Sequence, residues 1–429
     1  MQAESWQALC GVCWSADCRI SLKMLALGER IRTNPYPAHV SGRIRSLPLR
    51  RSRQSISMWS PQLYTEQGIA MGRSRDLLHN AVAQIEQVIR SSLELPAILT
   101  LNHLAERADV PYATLRKIVM REHKDTYRNF FIRKRSGGRR LISIPHPELL
   151  KVQRWLARYV LNPVPVHPNS FAFAPDNSIV KCASRHCGAR WIVKMDILAF
   201  FPSLSELKVY RVFRAMGYGR LISFELARVT TYAPHKSFRY AHRQWINLHG
   251  GTIVAYAHPH QGFLPQGAPT SPMLSNLIMR DMDEKITKIA LRAGMTYTRY
   301  ADDLTFSLRE GEFSRRAALQ LVGEVQDALK FMGLYLNRRK TTISPPGSRK
   351  VVLGLLVNGS APRLSREFRS NLRQHLHYAK NPTEHAKARG FDSVGGLRRH
   401  LKGLIDFAKM VDEPYGIKAL QQFDSILWP

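Results

Sequence analysis

The chain has 429 residues, with 64 lysines and arginines against 32 aspartates and glutamates, a formal charge of +32. Such an excess costs stability by self-repulsion unless a polyanion neutralises it, and this favours a nucleic-acid partner. No apolar run reaches the roughly 18 residues of a spanning helix, so no membrane role is expected; five cysteines and no evident secretory signal fit a reducing cytoplasm without a disulfide framework.

Residues 1–57 have a texture of their own, with three acids (Glu4, Asp17, Glu29) and an arginine-rich run from Arg43 to Arg53. Three readings compete: an RNA-binding arm, a targeting segment, or sequence upstream of a start at Met58. The last is favoured, and the segment is expected to be poorly ordered. Cys10, Cys13 and Cys18 lack a nearby fourth ligand, which argues against structural zinc. From Asp76, the spacing of Leu77, Leu78, Ala81, Val82, Ile85, Val88 and Ile89 predicts a helix. Thr100 to Glu122 reads as two short helices broken near Ala108–Pro111. The pair resembles a DNA-reading helix-turn-helix, but a packed buttress is the commoner use of such a unit. Lys151–Leu156 also reads as helical.

Arg190 to Ser203 contains an apolar, β-prone run that delivers Asp196 at its end. Gly262 to Pro272 is a Gly/Pro loop leading into a helix over Met273–Lys285, where small residues permit close backbone approach to a ligand. Met295–Arg299 and Leu304–Ser307 read as strands flanking the turn Tyr300-Ala301-Asp302-Asp303. Adjacent carboxylates repel unless something divalent sits between them, and hard, oxygen-preferring Mg²⁺ suits that position. Alone, each segment has a bland alternative: a solvated acidic turn, a turn-forming Asp, a Gly/Pro loop. Beyond Pro345-Pro346, Val351–Asn358 reads as a strand pair. From Ser365 the pattern turns helical, with Phe368, Leu372 and Leu376 forming an apolar stripe and Arg366, Arg369, Arg373, His375 and His377 supplying cations.

Taken in order, these segments resemble the palm motifs of reverse transcriptases, and among those the bacterial retron enzymes. The resemblance covers about residues 100 to 425 and implies an α+β, right-hand polymerase. Its parts would be an N-terminal helical region (58–122), fingers (123–190), an antiparallel-sheet palm (191–345), and hinge strands with a basic helical thumb (346–429). It implies that Asp196, Asp302 and Asp303 are catalytic. Asp196, Ile197, Asp302 and Asp303 would hold Mg²⁺ in a two-metal site, with Mn²⁺ as a substitute. Phe201 would lie near the incoming sugar and favour dNTPs. Gln266 and Gly267 would contact nucleotide and template, Lys134 and Arg140 would grip the triphosphate across Ser136-Gly137-Gly138, and Lys340 would sit near the leaving pyrophosphate.

The stretch Ser178 to His186 is similar to the retron Asn-Ala-x-x-His element, with Cys182 in the Asn position. It implies that His186 binds RNA, as Arg366, Arg369 and Arg373 would in the thumb, and Leu397–Phe407 looks like the retron thumb. Leu353 stands where the family's Val-Thr-Gly element has Thr, and Ala199 where an acid is frequent; both departures suggest a divergent branch. The implied activity is copying of a structured noncoding RNA into single-stranded DNA. Synthesis would start from an RNA 2′-hydroxyl, and a separately encoded effector would serve anti-phage defence. Rival readings are a group II intron, diversity-generating or abortive-infection reverse transcriptase, and a silent RNA-binding scaffold.

Overall fold

The computed structural model describes residues 61–89, 95–122, 126–133, 139–233 and 261–429. The basic arm, its three cysteines and Lys134 with its glycine turn lie outside them. No helix among the described residues is long and apolar enough to cross a membrane.

The chain opens with helices α1 (Pro61–Ala70), α2 (Arg75–Ile89), α3 (Leu101–Arg107) and α4 (Tyr112–Val119). The Thr100 side chain accepts from His103 N at the start of α3, satisfying one orphan donor of the first turn. The expected break falls between α3 and α4, where Asp109 adopts a left-handed φ of 53°. Strands β1 (Tyr127–Arg133) and β2 (Arg139–Pro145) pair antiparallel from Tyr127↔Pro145 to Arg133↔Arg139. Helix α5 (Pro147–Leu156) runs into a wider π turn, Ala157–Leu161. There follow α6 (Ile179–Ser184), β3 (Trp191–Asp196), a 3₁₀ turn at Phe201–Ser203, α7 (Glu206–Ala215) and α8 (Arg220–Thr230). After the loop come α9 (Ser271–Arg292), β4 (Thr296–Tyr300), β5 (Asp303–Leu308), α10 (Arg315–Phe331) and β6 (Thr342–Ser344). Short β7 (Val351–Val352) and β8 (Leu355–Leu356) lead to α11 (Arg366–Tyr378), α12 (Pro382–Ala388), α13 (Val394–Val411) and α14 (Glu413–Asp424).

The described residues form two units. One holds Ser205–Thr270 together with the residues up to Val164; the other holds Pro165–Leu204 and Ser271–Pro429. The stretch 191–345 falls partly in each unit. In the first unit, α8 packs with α4, α5 and α7. Its centre is Glu206, buried between Arg121 and Arg228, with Arg228 Nε donating at 2.7 Å. Burial works against the Glu206 charge, but the two arginines hold its carboxyl below its ordinary range. Gly262 N also donates to Glu206, at 3.2 Å, fixing the entry of the Gly/Pro loop.

The second unit is built on an antiparallel sheet of order β4-β5-β3-β6. A continuous core runs from Ile192 under the sheet through Val352 and Leu355 to Leu372, Leu397, Leu401 and Leu404 of the C-terminal helices. Apolar residues at helical spacing face this core, as the periodicity of α11 requires. His375 departs from the expected cationic face. It is buried, its Nδ1 lies 3.0 Å from His385 Nε2, and burial pushes it down to about 4. A ring kept neutral by desolvation supplies no cation to a partner.

Candidate active site

Strand β3 has Ile192, Val193 and Met195 buried, so packing fixes its line and it delivers Asp196 at its last position. Strands β4 and β5 close with Tyr300 paired to Asp303, leaving Ala301 and Asp302 as a two-residue turn. Ala301 takes φ 56°, the left-handed geometry that such tight connections demand. The β3–β5 register sets Asp196 directly opposite Asp303. Ile197 N donates to the Asp302 carbonyl at 2.9 Å, and Asn337 N to the Asp196 carbonyl at 2.7 Å. Three segments distant in sequence thus converge at one end of the two central strands.

Two lysines meet the acids there. Lys340 Nζ lies 2.7 Å from Asp196 Oδ2, and Lys194 Nζ lies 3.5 Å from Asp303 Oδ2. Burial pushes the Asp303 carboxyl up to about 6; Lys194 pulls the other way, while Asp302 and Asp196 add to the rise. Among the described residues no group of three His, Cys, Asp or Glu side chains stands gathered to hold a metal ion. The donor chemistry fits one nonetheless. The set is hard oxygen, its negative charge is only partly compensated, and a divalent cation would relieve the Asp302 and Asp196 repulsion that adds to the effect of burial on Asp303. Ile197 has no side-chain donor, so only its main-chain oxygen could join the set.

Phe201 sits in the 3₁₀ turn just beyond Ala199, which takes φ 47°. Its ring is buried, 5.5 Å from Phe200 and 6.4 Å from Phe173 between centroids, and Phe173 also lies 6.5 Å from Tyr300. This aromatic wall belongs to the same unit as the acids. Gln266, Gly267 and Arg140 belong to the other unit. There Ser143 N donates to the Gln266 carbonyl at 2.7 Å, seating the Pro-Gln-Gly loop on β2. Gly267 has φ 116°, and a Cβ on it would meet the Ser143 carbonyl at 2.9 Å, so both conformation and space require glycine. Arg140 is half-buried, opposite Ile132 in the hairpin.

The expected RNA contact of His186 is corrected. The residue has no solvent exposure, and its ring nitrogens lie 2.7 Å from Ser307 Oγ and 2.7 Å from Thr298 Oγ1. Burial, helped by Arg185, Arg309 and Lys194, pushes it down to about 3. It is a neutral bridge joining β4 to β5 and cannot touch RNA from there. Cys182 is a packing residue: it is buried, its Sγ lies 3.4 Å from Thr298 Oγ1, and burial pushes the thiol up to about 12. On α11, Arg366 and Arg373 are exposed, whereas Arg369 is paired with Asp412 and lies 4.8 Å from the Tyr415 ring centroid.

Sequence reasoning missed Lys194, Phe173 and Arg299. For Lys194 the signal was present. A charged residue inside an apolar strand, two positions before Asp196, must share a face with it. No comparable signal marked Phe173, whose place depends on a left-handed φ of 61°.

This geometry, with a strand-borne Asp facing a tight Asp-Asp turn in an antiparallel sheet, defines a polymerase palm. A family model described as reverse transcriptase (RNA-dependent DNA polymerase) matches residues 132–357, more than half of the chain, and the chain belongs to that family. Its relatives place it more narrowly, in the retron type. It is 30% identical over 390 residues to the retron Mx162 reverse transcriptase of Myxococcus xanthus, covering 87% of this chain and 77% of that one. It is 35% identical over 292 residues to the Mx65 enzyme of the same organism, covering 68% and 63%. With the retron Ec86 reverse transcriptase of Escherichia coli it shares 30% identity over 323 residues, covering 75% and 87%.

Proposed function

We propose that this retron-type reverse transcriptase copies part of a structured noncoding RNA into single-stranded DNA from dNTPs. Synthesis starts from an RNA 2′-hydroxyl and leaves a branched RNA–DNA product. The complex works in the cytoplasm, in anti-phage defence with a separately encoded effector. The observation that carries the catalytic part is the register that sets Asp196 against Asp303, with Asp302 in the adjoining turn.

In this reading Asp196, Asp302, Asp303 and the Ile197 carbonyl would hold two Mg²⁺, with Mn²⁺ as a substitute. Bound there, the metals would activate the attacking hydroxyl and neutralise charge on the leaving pyrophosphate. Lys340, paired with Asp196, would donate a proton to the leaving pyrophosphate. Phe201, with Phe173 and Phe200 beside it, would exclude a 2′-hydroxyl on the incoming sugar. Lys134, Arg140, Gln266 and Gly267 bind the nucleotide, and Arg366 and Arg373 hold RNA phosphates. Arg369 acts in that surface through its tie to Asp412.

The test is co-expression of the protein with its native flanking DNA. Short DNA is then sequenced before and after RNase and debranching treatment. A discrete DNA joined to RNA by a debranching-sensitive 2′–5′ bond is expected. Discrete DNA without that bond would overturn the priming step while leaving the polymerase; the absence of any DNA would favour a silent RNA-binding scaffold.

A further inference from the structure

A fully buried polar hub lies directly behind the catalytic turn. Arg299, Asp283, Asn276 and Ser170 have no solvent exposure. Arg299 Nε and Nη2 donate to the two Asp283 oxygens at 2.8 and 2.7 Å. Nη1 donates to Asn276 Oδ1 at 3.1 Å and to the Ala301 carbonyl at 3.2 Å, and Nη2 also donates to Ser170 Oγ at 3.0 Å. All five guanidinium donors are therefore used, in the planar fork that only arginine provides.

A buried ion pair is a weak source of stability, because well-packed apolar residues often do as well. What this one provides is position. The Ala301 carbonyl belongs to the residue whose left-handed φ forms the Asp302 turn, a conformation that persists only when its surroundings over-determine it. The guanidinium supplies that constraint from within the sheet.

A second arm reaches the aromatic wall. Ser170 Oγ donates to Asn276 Oδ1 at 2.9 Å, and Asn276 Nδ2 donates to the Ala172 carbonyl at 2.7 Å. The main chain reinforces this, with Arg299 N donating to Asn169 O at 2.7 Å and Phe171 N to Arg299 O at 2.9 Å. These bonds fix the segment leading into Phe173, whose ring stands against both Phe201 and Tyr300.

We infer that Arg299 is a positioning residue with two outputs. Through Ala301 it sets the turn that carries Asp302 and Asp303, and through Asn276 it sets the wall that selects the incoming sugar. The inference rests on the proposed roles of those aspartates and of Phe201. An ordinary core residue would affect folding alone; this hub tunes metal use and sugar discrimination together.

The experiment compares wild type with Arg299→Lys, Asn276→Ala and, as a control of similar destabilisation, Leu321→Ala in the core face of α10. For each, Tm, RNA affinity, kcat and KM for dGTP and GTP, and the Mg²⁺ concentration for half-maximal synthesis are measured. Arg299→Lys is expected to lower kcat roughly 10–100-fold, as loss of a supporting bond behind a metal ligand does, and to raise the Mg²⁺ requirement with RNA affinity unchanged. Asn276→Ala is expected to lose discrimination between dGTP and GTP, with a smaller fall in kcat. Leu321→Ala should alter Tm without moving either readout. If both hub variants behave like Leu321→Ala, the inference is overturned. If Arg299→Lys does not fold, Asn276→Ala decides alone, and unchanged discrimination overturns it. Wild-type protein that makes no DNA would instead overturn the reading of the site itself, a separate result.

Discussion

At the palm turn, Asp196 and Asp303 stand on facing strands, mostly shielded from water, each met by one lysine. On thumb helix α11, Arg366 and Arg373 stand in solvent above the buried Leu372 and Leu376. Charge placed in a sheet interior is fixed in register, costs desolvation and shifts the titration of its neighbours. Charge on a helix surface keeps its hydration and acts through long-range, salt-screened attraction. The first region suits a reaction that demands oxygen atoms at set positions, and the second suits holding a polyanion whose path can vary. Substitutions in the two regions should therefore fail differently: one loses chemistry without binding, the other loses binding without chemistry.

The largest expected effect is that of Asp196→Asn, which should abolish DNA synthesis while RNA binding persists; primer extension and a filter-binding titration check both halves. Next is Lys340→Ala, expected to lower kcat by about 10²-fold, the usual contribution of a positioned general acid, with KM for dNTP little changed. Single-turnover kinetics would show whether that loss falls on the chemical step. Removing both Arg366 and Arg373 should leave kcat at saturating RNA intact and weaken RNA binding. The slope of log affinity against log salt should shrink by roughly 0.7–0.9 for each phosphate that is no longer neutralised. A steep loss of kcat from this pair would blur the distinction between the two regions.

The smallest effect concerns Asp303 and pH. Burial holds its carboxyl up at about 6, above the ordinary range near 3.9. The folded state then binds more protons than the unfolded chain between those values, so the residue becomes destabilising as pH rises through that window and remains so above it. Asp303→Asn should therefore raise stability at pH 8 by about 1–3 kcal/mol, an advantage that fades as pH falls to 4. Denaturant melts at both pH values check this. In wild type, the Mg²⁺ requirement should climb as pH falls below 6, because metal must then displace a proton.

Much of the palm was legible because its signals are local. The apolar run ending in Asp196 and the two strands flanking Ala301-Asp302 are periodic patterns with turn chemistry between them, and both formed as expected. Helix α11 and its apolar stripe were readable on the same ground. His186 was misplaced because a family motif marks a residue without saying which way it faces; only the folded β4–β5 pair provides the two hydroxyls that bury it. His375 was misread because helical spacing shows a stripe, and this ring lies at the stripe's edge beside His385. The Arg299 hub had no signal at all. Its members come from a loop, α9 and the β4–β5 hairpin, and an arginine at a strand end otherwise passes for a surface cation.

The most direct test of the account is a paired measurement on wild type and Asp302→Asn, each purified with the same RNA. DNA synthesis from dNTPs and Mg²⁺ is measured alongside RNA affinity at fixed salt. Wild type should synthesise DNA and Asp302→Asn none, with equal RNA affinities. Synthesis retained by Asp302→Asn would contradict the assignment of the turn as the catalytic centre.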